Sequence, residues 1–408
     1  MRFIKLFFCL IATYLLFAVI ACLLPDKPIH HHIEQTVERG DLQWTDYPRA
    51  FINSDQSRLD NFTDALIISQ AWNCSKDSLW ESMMQPSRAV YDQSMTEALA
   101  MQIEGKHFDN KKYGRYWHGS TFLMRYLLLL WSYNNIRLLF YILSSLLILF
   151  TLWRLQIKIG TWAAVVTLLA FTLMYVYVMQ FSIQFLPVLA LSLAGVVCVL
   201  DERKDKHIAF FVIGSLTAYF DLLTTPLLTL GIPLIAWILV HRNDSTTIWQ
   251  SLLEMLKLGL VWGLAFAVTW GMKWLLATLT TDENIWADAM SNVMRRSGDL
   301  GEYSRFDAIT NNFNLLNTRF ILLVAIVMTL LMAFRFHREG WRSALLLLIV
   351  ATVPYVWYFV VANHSYEHFW FTYRLQIISV LALFAAIGCM VDWTKIDGEL
   401  HLLKRKRE

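Results

Sequence analysis

Long apolar runs alternate with short polar turns along this chain, and two much longer polar intervals interrupt the alternation. The runs cover 1–24 and then roughly 135–153, 161–179, 183–200, 208–224, 226–240, 258–279, 319–334, 343–362 and 375–392. A bilayer-crossing helix needs about 20 mostly apolar residues, so the pattern predicts an all-α integral membrane protein with about ten transmembrane helices. Only a "TTP" turn divides the fifth run from the sixth. The first run, "MRFIKLFFCLIATYLLFAVIACLL", begins like a signal peptide with Arg2 and Lys5. It is longer than a signal core and has no small-x-small cleavage site after it, so it is read as a retained first span.

The polar interval after the first run is too long, and too rich in periodic apolar residues, to be a bare linker. "FTDALIISQAW" and "RAVYDQSMTEALAMQI" place apolar residues at i, i+3 and i+4, which predicts amphipathic helices. "TFLMRYLLLLWSY" is short for a span and is expected to lie along the membrane interface. The expected organisation is a first transmembrane helix (1–24), a helical extracytoplasmic loop with amphipathic and juxtamembrane helices (25–133) and a bundle (134–279). A second extracytoplasmic loop (280–318), a second bundle (319–392) and a basic tail (393–408) complete it.

Lysine and arginine set the orientation. With the N-terminus inside, Arg154, Lys158, "DERKDK", Arg242, "RFHREGWR" and the terminal "KRKR" all fall on the cytoplasmic side. The short turns assigned outside, "MQFSIQ", "DLLTTP" and "NHSYEHFWFTY", hold no Lys or Arg. This positive-inside asymmetry puts both termini in the cytoplasm of a multi-pass protein of the cell (plasma or inner) membrane.

Composition agrees with that reading. Of 408 residues, 57% are hydrophobic and 16% charged, and the mean hydropathy is +0.44, a balance foreign to a soluble single-core domain. The net charge of +3 gives no reason to expect a nucleic-acid partner. The five cysteines show neither a disulfide framework nor zinc-ligand spacing. No Gly-rich phosphate loop, nucleophile elbow, HExxH or nucleotide-binding domain is present. His30, His31 and His32 are adjacent and cannot all face one metal on a regular helix. The "NFT", "NCS" and "NHS" triplets are short enough to arise by chance.

Charged groups near a bilayer are costly and mark pathways or sites, and here they gather at the outer face. Asp60 and Asp64 stand in the first loop with Arg115, Trp117 and His118; Asp221 and Lys273 lie at the outer ends of their spans. The last outer turn carries His364, His368, Trp370 and Arg374. Simpler roles compete with each. Asn61 and Asp64 fit an N-cap with an acidic third residue, whereas Asp60 can only precede or replace that cap. If both acids are helical, their i,i+4 spacing sets like charges on one face, which calls for a cation or a proton. Asp221 could satisfy a helix end, Lys273 could snorkel to headgroups, and Arg374 could anchor at the interface. His364 and His368 have ligand spacing on one helical face, but no third ligand is close in sequence, so substrate contact is favoured over metal.

A first span, a long external loop of helices carrying acids, an interfacial helix, and then many spans with short turns resembles the GT-C superfamily of polytopic glycosyltransferases. The likeness covers most of the chain in architecture, with loose motifs. It implies transfer of a sugar from a polyprenyl-phosphate-linked donor to a lipid or glycan acceptor at the outer face. Membrane lipids are the surroundings, and a divalent metal is left open. In that family a carboxylate of the first external loop is catalytic, a place that Asp60 or Asp64 would take here. The sequence departs from the pattern in that "DNFTD" stands some way into the loop, while Asp26 in "PDKP" is nearer the first span but isolated. In an inverting transfer such a carboxylate takes the proton of the acceptor hydroxyl. Cations, for which Arg374 and Lys273 are the candidates, hold the leaving phosphate. Asp221, His364, His368, Arg115 and His118 would contact substrate, and Trp117 and Trp370 would stack on a sugar ring. The rival readings are a transporter or flippase, a polysaccharide polymerase or ligase using the 280–318 loop with Arg295, Arg296 and Arg305, and an assembly protein binding a partner through the outer loop.

Overall fold

The computed structural model describes residues 1–42, 45–50, 54–92, 94–242, 244, 246–298 and 303–393. The basic tail expected at 393–408 lies outside them except for Trp393.

The first apolar run folds as α1 (Arg2–Leu23). Five α-helices are described before the next long apolar helix: α2 (Asp26–Glu38), α3 (Asn61–Asn73), α4 (Leu79–Met84), α5 (Met95–Ile103) and α6 (Gly119–Leu128), with α7 (Tyr133–Lys158) leading into the bundle. The chain is 75% helical, but the first loop also holds a two-stranded antiparallel ribbon, β1 (Ser87–Val90) and β2 (Asp109–Lys112), which pairs Ser87 with Lys112. The stretch "RAVYDQSMTEALAMQI", read as one helix, is therefore divided. Ser94 caps α5 by accepting from the Glu97 amide at 3.3 Å, Asp92 turns the chain at positive φ, and residues 88–90 are strand. Periodicity alone missed the cap. A second expectation also changes. Every residue of α3 from Asp64 to Ala71 is buried, so this helix is the core of the loop and not an amphipathic surface helix. α6 likewise buries Phe122, Met124, Arg125 and Leu128 against α1 and α3.

The remaining helices are α8 (Thr161–Leu173), α9 (Val176–Met179), α10 (Phe185–Leu200), α11 (Lys206–Phe220), α12 (Leu228–Val240), α13 (Ile248–Thr280), α14 (Ile285–Ser297) and α15 (Arg305–Asn314). They are followed by α16 (Thr318–Phe334), α17 (Trp341–Val360), α18 (Ala362–Glu367), α19 (Phe369–Thr372) and α20 (Ile377–Cys389). Among the described residues five helical segments are long and apolar enough to cross a membrane: α1, α7, α13, Arg338–Val360 and Phe369–Cys389. A sixth arises if α15 and α16, bent by 76° at their junction, count as one. α8, α10, α11 and α12 are apolar but shorter.

The last segment is 89% buried, whereas α1, α7 and α13 bury under a third of theirs. Those outer helices present Leu138, Leu146, Leu149, Leu256, Leu260 and Leu264 to the surroundings. A water-soluble protein does not display such stripes, and a membrane-embedded one requires them. Small residues allow the closest approaches inside: a Cβ on Gly214 would lie 2.4 Å from the Trp262 carbonyl oxygen, so glycine lets α11 and α13 pack backbone to backbone.

Basic turns collect at one end of the bundle. Arg2 pairs with Asp205 at 3.0 Å, Lys158 with Glu202 at 3.0 Å, and Arg242 donates to the Ile159 carbonyl at 3.1 Å. A cavity of about 660 Å³ opens at this end among Trp162, Arg242, His337, Trp341, Arg342 and Trp393. None of the acids singled out above lines it. They lie at the opposite end, with the first loop.

Candidate functional site

Asp60, and not Asn61, is the N-cap of α3. Its Oδ1 accepts from the Thr63 amide at 3.0 Å and its Oδ2 from the Thr63 hydroxyl at 2.7 Å. Asn61 instead donates to the Leu42 carbonyl at 2.6 Å. One turn on, Asp64 reaches out of its helix. Its Oδ2 accepts from the Tyr133 hydroxyl at 2.6 Å, and its Oδ1 from the Ile183 amide at 3.0 Å and the Ser182 hydroxyl at 3.2 Å. Both carboxyls are buried. Burial lifts Asp60 to about 6 against the opposing Thr63 bonds, and lifts Asp64 to about 7 against the Tyr133 bond. Asp60 adds to the rise at Asp64, whereas the carboxylate that adds to the rise at Asp60 is Asp46.

Asp221 ends α11 and folds the following turn onto itself, accepting from the Thr224 amide, at 3.1 Å to each oxygen, and from the Thr224 hydroxyl. Gln184 donates to it at 3.3 Å. The 182–184 turn thus touches Asp64 through Ser182 and Ile183 and Asp221 through Gln184. The structure brings Asp64 and Asp221 to opposite sides of one short segment, with the Gln184 Oε1 left without a donor among the described residues.

The predicted cations have other commitments. Lys273 is fully buried and donates to the Met83 and Met84 carbonyls at 3.1 and 2.8 Å, capping the C-terminus of α4 instead of snorkelling outward. Arg374, also fully buried, donates to the carbonyls of Arg58 at 2.7 Å and Trp370 at 3.3 Å and lies 4.7 Å from the Phe185 ring centroid. It binds backbone at the entry to α3, on the Asp60 side, and its Nε has no acceptor among the described residues. The two tryptophans chosen for sugar stacking are packing residues. Trp117 donates to the Thr269 carbonyl and lies against the stacked Tyr14 and Tyr219 rings, 5.9 Å from each, and Trp370 packs on Tyr47 at 4.3 Å.

The histidines are neutral. His364 holds the Leu223 carbonyl at 2.9 Å, and its ring stands 4.9 Å from that of His368. Burial and the neighbouring Arg296 push His364 well down and His368 to about 4. His118, in left-handed backbone at the start of α6, donates Nε2–H to the Tyr113 carbonyl at 2.7 Å; burial and Lys273 hold it at about 3. Among the described residues no three His, Cys, Asp or Glu groups gather as metal ligands, and His364 and His368 gain no third partner from elsewhere in the fold.

Sequence reasoning missed a cavity of about 240 Å³ at this end, lined by Trp270 and Trp274 of α13, Val293 and Arg296 of α14, Trp357 of α17, and Leu223. Arg115 completes the lining. Its carbonyl is pinned by both α13 indoles, at 2.8 and 2.9 Å, and its guanidinium meets Asp288 at 2.9 Å. Arg296 donates to the Tyr116 hydroxyl at 2.6 Å. The Nε of Arg115 and the indole nitrogen of Trp357 are buried donors without an acceptor among the described residues, which is unusual for buried polar groups and typical of ligand sites. Arg115 and the 280–318 arginines were legible as charges; the tryptophans that complete the cavity carried no signal that set them apart in the sequence. Comparison with protein-family models, with curated proteins and with solved structures found no match.

Proposed function

We propose that this chain is a membrane glycosyltransferase that takes a sugar from a polyprenyl-phosphate-linked donor and passes it to a lipid or glycan acceptor at the outer membrane face. The observation that carries the reading is an apolar, tryptophan-lined cavity edged by Arg115 and Arg296, at the same end of the bundle as three buried carboxyls. An isoprenoid tail suits the apolar wall, and two guanidinium groups, that of Arg115 with an unpartnered Nε among the described residues, suit the phosphate. These two arginines replace Lys273 and Arg374 as the groups assigned to the leaving phosphate, because the latter are spent on backbone carbonyls.

The chemistry follows the charges. Asp60 is assigned as general base: its donors come from its own helix cap alone, and its raised pKa, near 6, lies close to operating pH. It takes the acceptor hydroxyl proton as that oxygen attacks the anomeric carbon. The bond from that carbon to the lipid phosphate breaks on the opposite face, and the phosphate leaves as an anion needing no proton. Asp64 fixes the start of α3 against α7 and the 182–184 turn. Asp221 and the neutral His364 and His368 orient sugar or acceptor hydroxyls.

The same reading makes the ten apolar helices ten spans, of which α8, α10, α11 and α12 are the short ones. The basic end then faces the cytoplasm, with both termini, and the 25–133 and 280–318 loops face outward. A second reading, a polysaccharide polymerase or ligase, draws on one observation: Arg296 of the second loop lines the cavity.

The test is transfer by purified protein in detergent from a panel of polyprenyl-phosphate sugars to acceptor lipids. With the fold intact, Asp60→Asn is expected to lose about 10²–10⁴ in turnover and Asp64→Asn far less. Loss on Asp221→Asn with Asp60→Asn fully active would move the base to Asp221. Absence of turnover from every donor, in protein that binds no polyprenyl phosphate, would overturn the reading in favour of a transporter.

A further inference from the structure

Two of the five cysteines meet where the first membrane helix joins the outer loop. Cys22 lies in the last turn of α1 and Cys74 follows α3, 52 positions apart in the chain, yet both stand as free thiols buried in one cluster and neighbour each other. The neighbourhood is clamped by Arg125, whose fully buried guanidinium donates to the carbonyls on either side of Cys22, Ala21 at 2.8 Å and Leu24 at 3.3 Å. The same group donates to Ala71 at 2.6 Å and to the Cys74 carbonyl at 3.4 Å, and meets Asp26 at 2.7 Å. One side chain therefore holds both cysteine backbones side by side and sets a positive charge next to the thiols.

We infer that Cys22 and Cys74 form a disulfide that staples the outer end of the first membrane helix to the catalytic loop. The inference rests on the outward orientation of that loop, because disulfides persist only in an oxidising compartment. The thiolate of Cys74 is the species that reacts. That thiolate attacks one sulfur of a disulfide-bearing thiol oxidase outside the membrane. The oxidase's own S–S bond breaks, and its second sulfur leaves as a thiolate. The Cys22 thiolate then attacks the Cys74 sulfur of the mixed disulfide, closing the new bond and releasing the oxidase as its dithiol. Two protons and two electrons leave the chain, and the oxidase gains the electrons. Both thiols are buried in the finished fold, so the exchange precedes packing of the loop. No third Cys, His, Asp or Glu joins the pair among the described residues to make a metal site of it.

The experiment counts thiols on the full-length protein, isolated from cells with free thiols blocked by maleimide at lysis and then denatured. Of the five cysteines, the proposal expects Cys9, Cys198 and Cys389 to react before reduction and all five after it. The digest should contain a Cys22–Cys74 peptide pair that separates on reduction, and Cys74→Ser should free Cys22. Five reactive thiols without reductant would overturn the proposal. A parallel arm labels exposed Asp77→Cys in intact cells with a membrane-impermeant maleimide. Labelling together with five free thiols would reject the disulfide and keep the orientation. Labelling only after permeabilisation would reject the orientation and, with it, the disulfide.

Discussion

Asp64 takes its hydrogen bonds from Tyr133, Ser182 and Ile183, all outside its own helix, and so acts as a knot between three parts of the chain. An asparagine can keep that knot, accepting at Oδ1 and donating from Nδ2 to the tyrosine oxygen, without a charge to bury. An alanine leaves a buried hydroxyl and a buried amide unpaired, a loss of about 3 kcal/mol. Thermal unfolding in detergent should therefore rank Asp64→Asn near the parent and Asp64→Ala well below it. The pH dependence has a definite sign. Folding raises the Asp64 pKa from 3.8 to about 7, so its contribution is full below about pH 4 and is lost as pH climbs towards 7. Tm should fall over that window, and Asp64→Asn should flatten part of the slope; an unchanged slope would contradict the buried carboxyl. Arg125 was the clearest missed signal at this scale. A lone arginine in "FLMRYLLLLW" demands partners, and five acceptors supply them. Arg125→Lys keeps the charge but cannot fork to five acceptors, and is expected to lower the yield of folded protein sharply.

At the scale of elements, the apolar runs were legible because uninterrupted apolar sequence marks a helix that must be buried or lipid-facing; each of the ten falls on a helix, and among the described residues five helical segments reach membrane-crossing length. The loop was less so. α3 and α5 follow from periodicity, but the β1–β2 ribbon depends on pairing between residues far apart, and nothing local in "DNKK" announces a strand. Charge positions were legible, and their partners were not. Asp60, Asp64 and Asp221 did come to one end of the bundle, whereas Lys273 turned inward to cap α4. That capping makes a prediction about elements. Lys273→Met retains the side-chain bulk and deletes the bonds to Met83 and Met84, so Tm should fall while turnover per folded molecule holds. A large loss of turnover at unchanged Tm would return Lys273 to the reaction.

Across the whole molecule, charge and apolar surface are segregated. Basic turns crowd one end, a belt of exposed leucines surrounds the middle, and buried acids, neutral histidines and the tryptophan-lined cavity occupy the other end. A charged path through the bundle would support transport. The buried cations here are instead tied to backbone at the end opposite the basic turns, Lys273 of α13 to the carbonyls that end α4 and Arg374 to the carbonyl of Arg58 before α3. The account therefore stands on that cavity holding a lipid phosphate. The most direct measurement is native mass spectrometry of the purified protein with polyprenyl phosphate, comparing the parent with Arg115→Gln/Arg296→Gln and with Arg242→Gln at the opposite end. The account predicts a retained lipid in the parent and in Arg242→Gln, and a loss of at least about tenfold in affinity, some 1.4 kcal/mol, in the double variant. Equal retention by all three, or none by the parent, would contradict it.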